Sequence, residues 1–386
     1  MTPAVPDPSA GTGRGGGLQV TDGGVHATVQ DLGRADAGRW AVPCAGAVDA
    51  DALRLGNGLV GNPPGAAAIE VLVGGLAVAV EAPGARVALA AVGGPPGAGP
   101  GGDHGARLEV TGSGRRVVPA WAAVDVAVGA CVRVVPAAVG AAGAGAGGGS
   151  AGPAYLVVAG GVDVPVVMGS RSTDLRGGFG GWEGRRLAAG DRLPVGVPGP
   201  AGTPGAAGGP PLELVPPPSA ATGPLRVVPG PHRDRLAGDA LATLMAGTYV
   251  VGPDADRMGL RLSGPALPWA EDGRPEMLSG GVVPGTIQVP SGGDPILLLA
   301  DCQTTGGYPQ VAVVCTADLA RAGRLRPGDE VRFAALTVAE AHALLRDHEA
   351  ALAERLARAR PVTPPPDLSA LHGANLVSGV VDAGDG

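Results

Sequence analysis

GTIQVPSGGDPILLLADCQTTGGYPQVAVVC, residues 285–315, contains three short apolar runs: TIQV (286–289), ILLLA (296–300) and VAVVC (311–315). Each is four or five residues of mostly aliphatic side chains bounded by Gly, Pro or Asp, which reads as strands of a sandwich or barrel. Between the last two runs lies DCQTTGGYPQ (301–310), which carries Gln303, Thr304, Thr305, two glycines and Tyr308, with one acid and no base. A plain turn needs Gly or Asn, so this concentration of neutral donors and acceptors points to ligand binding.

The same grammar recurs outward from this stretch. LAVAVE (76–81), RVALAAV (86–92), DVAVGACVRVV (125–135), YLVVA (155–159) and LRVVPG (225–230) all predict strands. Helical signals are few. DADALRLGNGLVGN (49–62) offers Asp49 as an N-cap, and its glycines need packing to hold them helical. The strong helix is TVAEAHALLRDHEAALAERLARAR (337–360), with Thr337 and Glu340 spaced for a capping box. Leu345, Leu352 and Leu356 line one of its faces, and Glu354 and Arg358 form an i,i+4 pair.

Gly/Ala/Pro-rich stretches at 93–106 and 137–152 read as expanded loops, and 198–224 as a solvated, semi-extended spacer. LAAGDRLPV (187–195) and LRPGDEVRF (325–333) share Leu-x-x-Gly-Asp-x-(Leu/Val)-x-(Val/Phe) and close the two β-rich halves. The expected organisation is a first all-β domain at 18–197, a linker at 198–224, a second all-β domain with the C-terminal helix at 225–360, and a tail at 361–386.

Composition narrows the function. In 386 residues, 45% are hydrophobic but only 2% aromatic, so the cores are Val, Leu and Ala. No lysine occurs. The chain therefore cannot carry biotin or lipoate on lysine, form a Schiff base, or supply a Walker lysine. A net charge of −7 argues against a nucleic-acid surface. The four cysteines show no metal spacing and read as reduced, buried residues. Without a signal-peptide pattern or an apolar run of about 20 residues, the expectation is a cytoplasmic protein that does not engage the membrane.

Three constellations could carry chemistry. In TVQDLGR (28–34), Arg34 could pair with Asp31 or fork onto a carboxylate or phosphate. Glu70, in the apolar AAAIEVLVGG (66–75), requires a partner and could be a site residue or the mate of Arg34. In AGGVDVPVVMGSRSTDLRGGFGGWEGRRL (159–187), Arg171, Arg176, Ser172 and Thr173 could hold an anion beside backbone N–H groups, although no P-loop is present. Gln303, Thr304, Thr305 and Tyr308, with Gln288 at the end of a neighbouring strand, suit a small polar amide better than a metal. The histidines are scattered and no complete catalytic set is visible, which suggests a component of a larger enzyme whose site is completed by another protein.

TVQDLGR, VPCAGAVDADALRLGNGLVGNP, YLVVAGGVDVPVVMGSRSTDLRGGFGG, DRMGLRLSGPAL, VVPGTIQVPSGGDPILLLADCQTTGGYP and LRPGDEVRF resemble the C subunit of 5-oxoprolinase. That family is also described as allophanate-hydrolase-subunit-2 or biotin-dependent-carboxyltransferase-like, and it includes an antagonist of a histidine-kinase inhibitor. The resemblance runs from about residue 18 to 345. It implies a mainly β chain of two cyclophilin-like β-barrel domains with few short helices. It also implies a tight complex with the 5-oxoprolinase B subunit. Joined by the A subunit, that complex would open 5-oxoproline to glutamate at the expense of ATP. ATP with Mg is then expected at a site shared with a partner. The alternatives that the resemblance implies are a carboxyltransferase module acting on a urea-like amide, its biotin carried by another protein, and a regulatory antagonist. The chain departs from the family's usual SGAMD at Ala45-Gly46-Ala47-Val48-Asp49, and from DRQTTGGYPK at Cys302 and Gln310.

Overall fold

The computed structural model describes residues 16–81, 83–92, 106–137, 152–200, 202–217, 223–270 and 277–362. Nearly all of the expected loops at 93–106 and 137–152, and the tail beyond residue 362, lie outside the described residues.

The chain is mainly β. Its first half places a six-stranded antiparallel sheet, in the order Arg192–Pro194, Gly17–Asp22, Leu76–Val80, Cys131–Val135, Arg107–Thr111, Arg115–Pro119, against a five-stranded one. The second sheet runs His26–Gln30, Ala68–Val73, Ala154–Val158, Ala85–Ala91, Ala123–Val126. Side chains alternate between the faces of a strand. Ile69, Val71, Val87, Leu89, Leu156 and Val158 therefore fill the space between the sheets. Ala68, Ala88, Ala90, Tyr155 and Val157 face the other way, onto helix α1 (Ala50–Leu59). Alternation also puts Glu70 on this helix-facing side, and its register partner is Tyr155. Small residues permit the close approach: a Cβ at Gly56 of α1 would lie 2.8 Å from that of Ala90. Asp49 caps α1 as expected, with Oδ1 accepting from the Ala52 N–H at 3.0 Å.

The second half is built on an eight-stranded sheet whose outermost strands are Glu330–Val331 and Phe333–Ala335. Only Arg332 separates those two in the chain, so the sheet curls until its margins nearly meet as a barrel. Val227, Tyr249, Leu260, Ile287, Leu297 and Val311 fill its core from the strands, and helix α2 (Ala240–Ala246) adds Leu244.

The repeated Gly-Asp motif makes the same turn twice. The Asp191 carboxylate accepts from the Ala188 N–H at 2.7 Å, and that of Asp329 from the Arg326 N–H at 2.9 Å. The Gly190 N–H reaches Val20 O and the Gly328 N–H reaches Val251 O, both at 2.8 Å. Both glycines adopt a positive φ, 98° and 90°, which other residues avoid.

Helix α3 (Thr316–Gly323) and helix α4 (Val338–Ala357) join the halves from outside. Thr337 and Glu340 form both bonds of the predicted capping box. Leu352 and Leu356 pack against the α1 cluster, and Arg54 of α1 forks onto Glu349 at 2.8 and 2.5 Å. The stretch expected to be a solvated spacer is packed onto the first half where it is described. The carbonyls of Gly205, Ala206, Gly209 and Pro210 accept from buried Arg86, and Leu212 and Leu214 are buried in the α1 cluster. Its Pro/Gly composition hid this because the groups that bind Arg86 are backbone carbonyls, which every sequence possesses.

Gly323 ends α3 against the Val48 carbonyl, where a Cβ would collide with backbone. Gly323→Ala is expected to lower stability by about 1–3 kcal/mol, read as a lower midpoint in urea denaturation.

Candidate functional site

The two halves meet at a buried ion cluster. Arg257, only 4% exposed, donates Nε and Nη2 to the Asp301 carboxylate at 2.7 and 2.8 Å. Its Nη1 donates to Glu70, and its Nη2 also reaches Gly46 O at 2.6 Å. Burial alone would pull the Arg257 pKa down, but the Glu70 and Asp301 carboxylates hold it above the ordinary value. The other Glu70 oxygen accepts from the Val48 N–H at 3.0 Å and the Tyr155 hydroxyl at 2.7 Å. Tyr155 in turn accepts from the Asp49 N–H at 2.9 Å, and Arg324 forks onto Asp49 at 2.5 and 2.9 Å. Every member of this chain of contacts is satisfied, as buried charge requires.

Loop 44–47 lies between that cluster and Arg34. On one side Gly46 accepts from Arg257. On the other, the Arg34 N–H donates to Cys44 O at 2.7 Å and the Ala47 N–H to Asp31 O at 2.8 Å. Arg34 is 2% exposed and has no carboxylate within ion-pair distance among the described residues. Its Nε donates to Val167 O at 3.1 Å, its Nη2 to Ser172 O, and its Cζ lies 4.9 Å from the centre of the Phe179 ring. Its Nη1 has no partner among the described residues. Burial pulls the Arg34 pKa below its ordinary value, against the opposing charges of Asp31 and Asp174. A guanidinium so desolvated and left one donor short is complementary to an anion.

Asp31 does not pair with Arg34. It accepts instead from the Gly33 N–H, the Ser170 and Ser172 hydroxyls and the Arg171 N–H, at 2.6–2.8 Å. These bonds pin the Gly/Ser loop beneath Arg34. Ser172 therefore serves the loop, and the Arg171 guanidinium is committed to Asp163 at 2.6 Å and Val164 O at 2.9 Å. Of the three arginines proposed for an anion, Arg171 is committed, Arg176 is exposed with Nη1 on the Met258 sulfur at 3.9 Å, and Arg34 is the buried one with an unpartnered nitrogen.

The segment that follows Asp301 is not closed on itself. Thr305–Gly306 pairs with Gly280–Gly281, so its backbone is held by a two-stranded ribbon. Gln303 Nε2 donates to Gln288 Oε1 at 3.4 Å, and Gln288, 2% exposed, keeps an unpartnered Nε2. The Thr304, Thr305 and Tyr308 side chains make no hydrogen bond among the described residues, and Thr305 and Tyr308 are exposed. Cys302 is buried, and burial, with the charges of Cys44 and Asp301, pushes its thiol up to about 12. It is a packing residue rather than a nucleophile at neutral pH.

Thus Glu70 lies in the junction cluster with Arg34 across loop 44–47, and Gln288 meets Gln303 in the segment that starts at Asp301. The mate of Glu70 is Arg257, not Arg34. Sequence reasoning passed over Arg257, Asp301, Tyr155 and Phe179. The available signal was Glu70 itself, whose burial demanded a cation from elsewhere in the chain. No group of His, Cys, Asp and Glu among the described residues could hold a metal, and no described helix is long and apolar enough to cross a membrane.

Arg257→Met would strand Glu70 as an unpaired buried carboxylate and should cost about 3–5 kcal/mol. Adding Glu70→Gln should restore part of that loss in the same denaturation experiment. His26, whose Nε2 is buried without a partner, is held neutral: burial, then Arg186 and Arg257, lower its pKa from 6.5 to about 4. Between those values the unfolded chain takes up a proton that the folded chain refuses. Stability therefore declines as pH falls from 6.5 to about 4, then levels. His26→Gln should flatten that slope in urea midpoints measured across the window.

Residues 40–335 match the family model described as carboxyltransferase domain, subdomain A and B. The chain is 34% identical over 335 residues to the C subunit of 5-oxoprolinase from Escherichia coli (strain K12), covering 86% of this chain and 95% of that protein. Identity to the corresponding C subunit of Haemophilus influenzae is 32% over 333 residues, with the same shares. The crystal structure of the K. lactis urea amidolyase superposes with a TM-score of 0.71 at 25% identity, over 89% of this chain but only 20% of that longer one. Family model, sequence relatives and fold agree, and the chain belongs to the carboxyltransferase domain, subdomain A and B, family.

Proposed function

We propose that this chain is the C subunit of an ATP-dependent 5-oxoprolinase, which with its A and B subunits opens 5-oxoproline to L-glutamate. The observation that carries the reading is Arg34, a buried guanidinium whose Cζ lies over the Phe179 ring and whose Nη1 has no partner among the described residues. It suits the carboxylate of the substrate or a phosphate oxygen. The kinship to two 5-oxoprolinase C subunits over 86% of the chain supports the choice of substrate.

A lactam carbonyl is a poor electrophile because nitrogen donates into it. Activating its oxygen with a phosphoryl group, which ATP would supply, makes the carbon open to water. The task of this chain is to orient the ring, pair its amide, and balance negative charge in a water-poor site. Arg34 supplies one cation. The chain has no Walker lysine, and in this reading ATP with Mg sits at a site shared with a partner protein. Biotin has no attachment point on this chain.

The test is reconstitution with the A and B subunits, following 5-oxoproline-dependent ATP hydrolysis and glutamate release. Omitting this chain should abolish the coupled activity. Arg34→Gln should lower kcat/KM by about 10- to 100-fold, the scale of one charge-assisted hydrogen bond. Activity that persists unchanged without this chain would refute the assignment.

A second reading has its own support, because urea amidolyase of Saccharomyces cerevisiae aligns with 87% of this chain at 28% identity. Here the chain would transfer a carboxyl group between carrier-borne biotin and a urea-like amide. Activity that needs a biotin carrier and is blocked by avidin would select it.

A further inference from the structure

Gln288 and Gln303 present an incomplete amide pair. Two facing carboxamides can close a ring of two N–H···O bonds. Here only one is made, from Gln303 Nε2 to Gln288 Oε1 at 3.4 Å. Gln288 Nε2 is left as a buried donor without a partner, and Gln303 Oε1 accepts no hydrogen bond among the described residues. An unpaired amide N–H on a residue 2% exposed is costly unless something else accepts from it.

A glycine seats the Gln288 amide. A Cβ at residue 306 would collide with Gln288 Nε2, so Gly306 lets that amide lie directly against the backbone. The backbone there is fixed by pairing of Gly306 with Gly280 and of Thr305 with Gly281. An unpartnered donor and an unpartnered acceptor thus stand together beside a fixed stretch of backbone.

We propose that Gln288 and Gln303 are specificity-determining residues that read the cis edge of an amide. Gln288 Nε2 donates to the carbonyl oxygen, and Gln303 Oε1 accepts the adjacent N–H. The bond from Gln303 Nε2 to Gln288 fixes which end of the Gln303 amide faces the ligand. A lactam or a urea carries carbonyl and N–H on the same edge and fits. A lactone, which has a ring oxygen in place of N–H, sets one acceptor against another. An N-methyl lactam is blocked at the same point. The inference rests on the proposed site being where the amide binds, and it gives that site its means of telling amide from ester.

The experiment is calorimetric titration of the full assembly of A, B and C subunits with 5-oxoproline, urea, the lactone analogue of 5-oxoproline and its N-methyl derivative. 5-Oxoproline should bind at least about tenfold more tightly than the lactone or the N-methyl compound, because a site built to pair an N–H rejects analogues that lack it. Gln303→Met, at a half-buried position, should bring the lactam-to-lactone ratio to within about twofold. Gln288→Met should weaken lactam and lactone together by about tenfold, since both share the carbonyl. Equal binding of lactam and lactone by the wild type, or an unchanged ratio in Gln303→Met, would overturn the proposal. So would undiminished lactam binding by a folded Gln288→Met assembly. Should that variant fail to assemble, the Gln303→Met ratio decides alone. Selective amide binding without turnover would sink the oxoprolinase reading and leave this inference standing, whereas turnover without selectivity would do the reverse.

Discussion

Arg257 is the constraint on which the rest of the molecule depends. It comes from the barrel half, is buried to 4% exposure, and bonds carboxylates from both halves, Glu70 and Asp301. A buried cation between two buried anions tolerates little displacement, because the loss of any member leaves charge without a partner in a medium of low dielectric. The same guanidinium holds the Gly46 carbonyl, and so sets the loop against which Arg34 is placed. The polar segment that begins at Asp301 starts from a fixed point for the same reason. Burial of Glu70, the join between the halves and the registration of the site are one arrangement.

Arg34 and Arg171 show how neighbours decide a role. Arg171 is half-exposed and matched by Asp163, so its charge is already answered. Arg34 is buried, bonded to neutral carbonyls and stacked on an aromatic face, and one of its nitrogens is open. Carbonyl dipoles orient a guanidinium without neutralising it, so Arg34 remains a net positive charge. Both look alike in the sequence, each beside a glycine or serine-rich turn.

Much of the architecture is legible in the sequence because it depends on local pattern. Val-rich runs between glycines are strands, Asp49 and Thr337 are caps, and the Gly-Asp repeat makes two equivalent turns. The site is legible only in part. Gln288 and Gln303 stand out, and do touch, since a polar cluster at a strand end contrasts with an apolar background. Arg257 does not, because its partners lie 187 and 44 residues away and no spacing rule encodes such a contact. The spacer at 198–224 misleads for a related reason, since its carbonyls wrap Arg86 while its composition signals solvent.

The outer strands of the six-stranded sheet have a consequence for how this molecule meets its own copies. In general, a bare outer strand invites growth by strand addition from another copy; here the Pro194 carbonyl is already taken by the Asp163 N–H at 2.8 Å. The barrel avoids this by bringing its margins together. The first half instead borders its sheet with Arg115, Arg116 and Pro119 on one side and Arg192 and Pro194 on the other. Proline withholds an N–H from any incoming backbone, and the charged side chains beside it, Arg115 paired with Glu109 and Arg192 with Glu81, stay hydrated. Along both margins of that sheet, arginine and proline stand where edge strands often carry lysine.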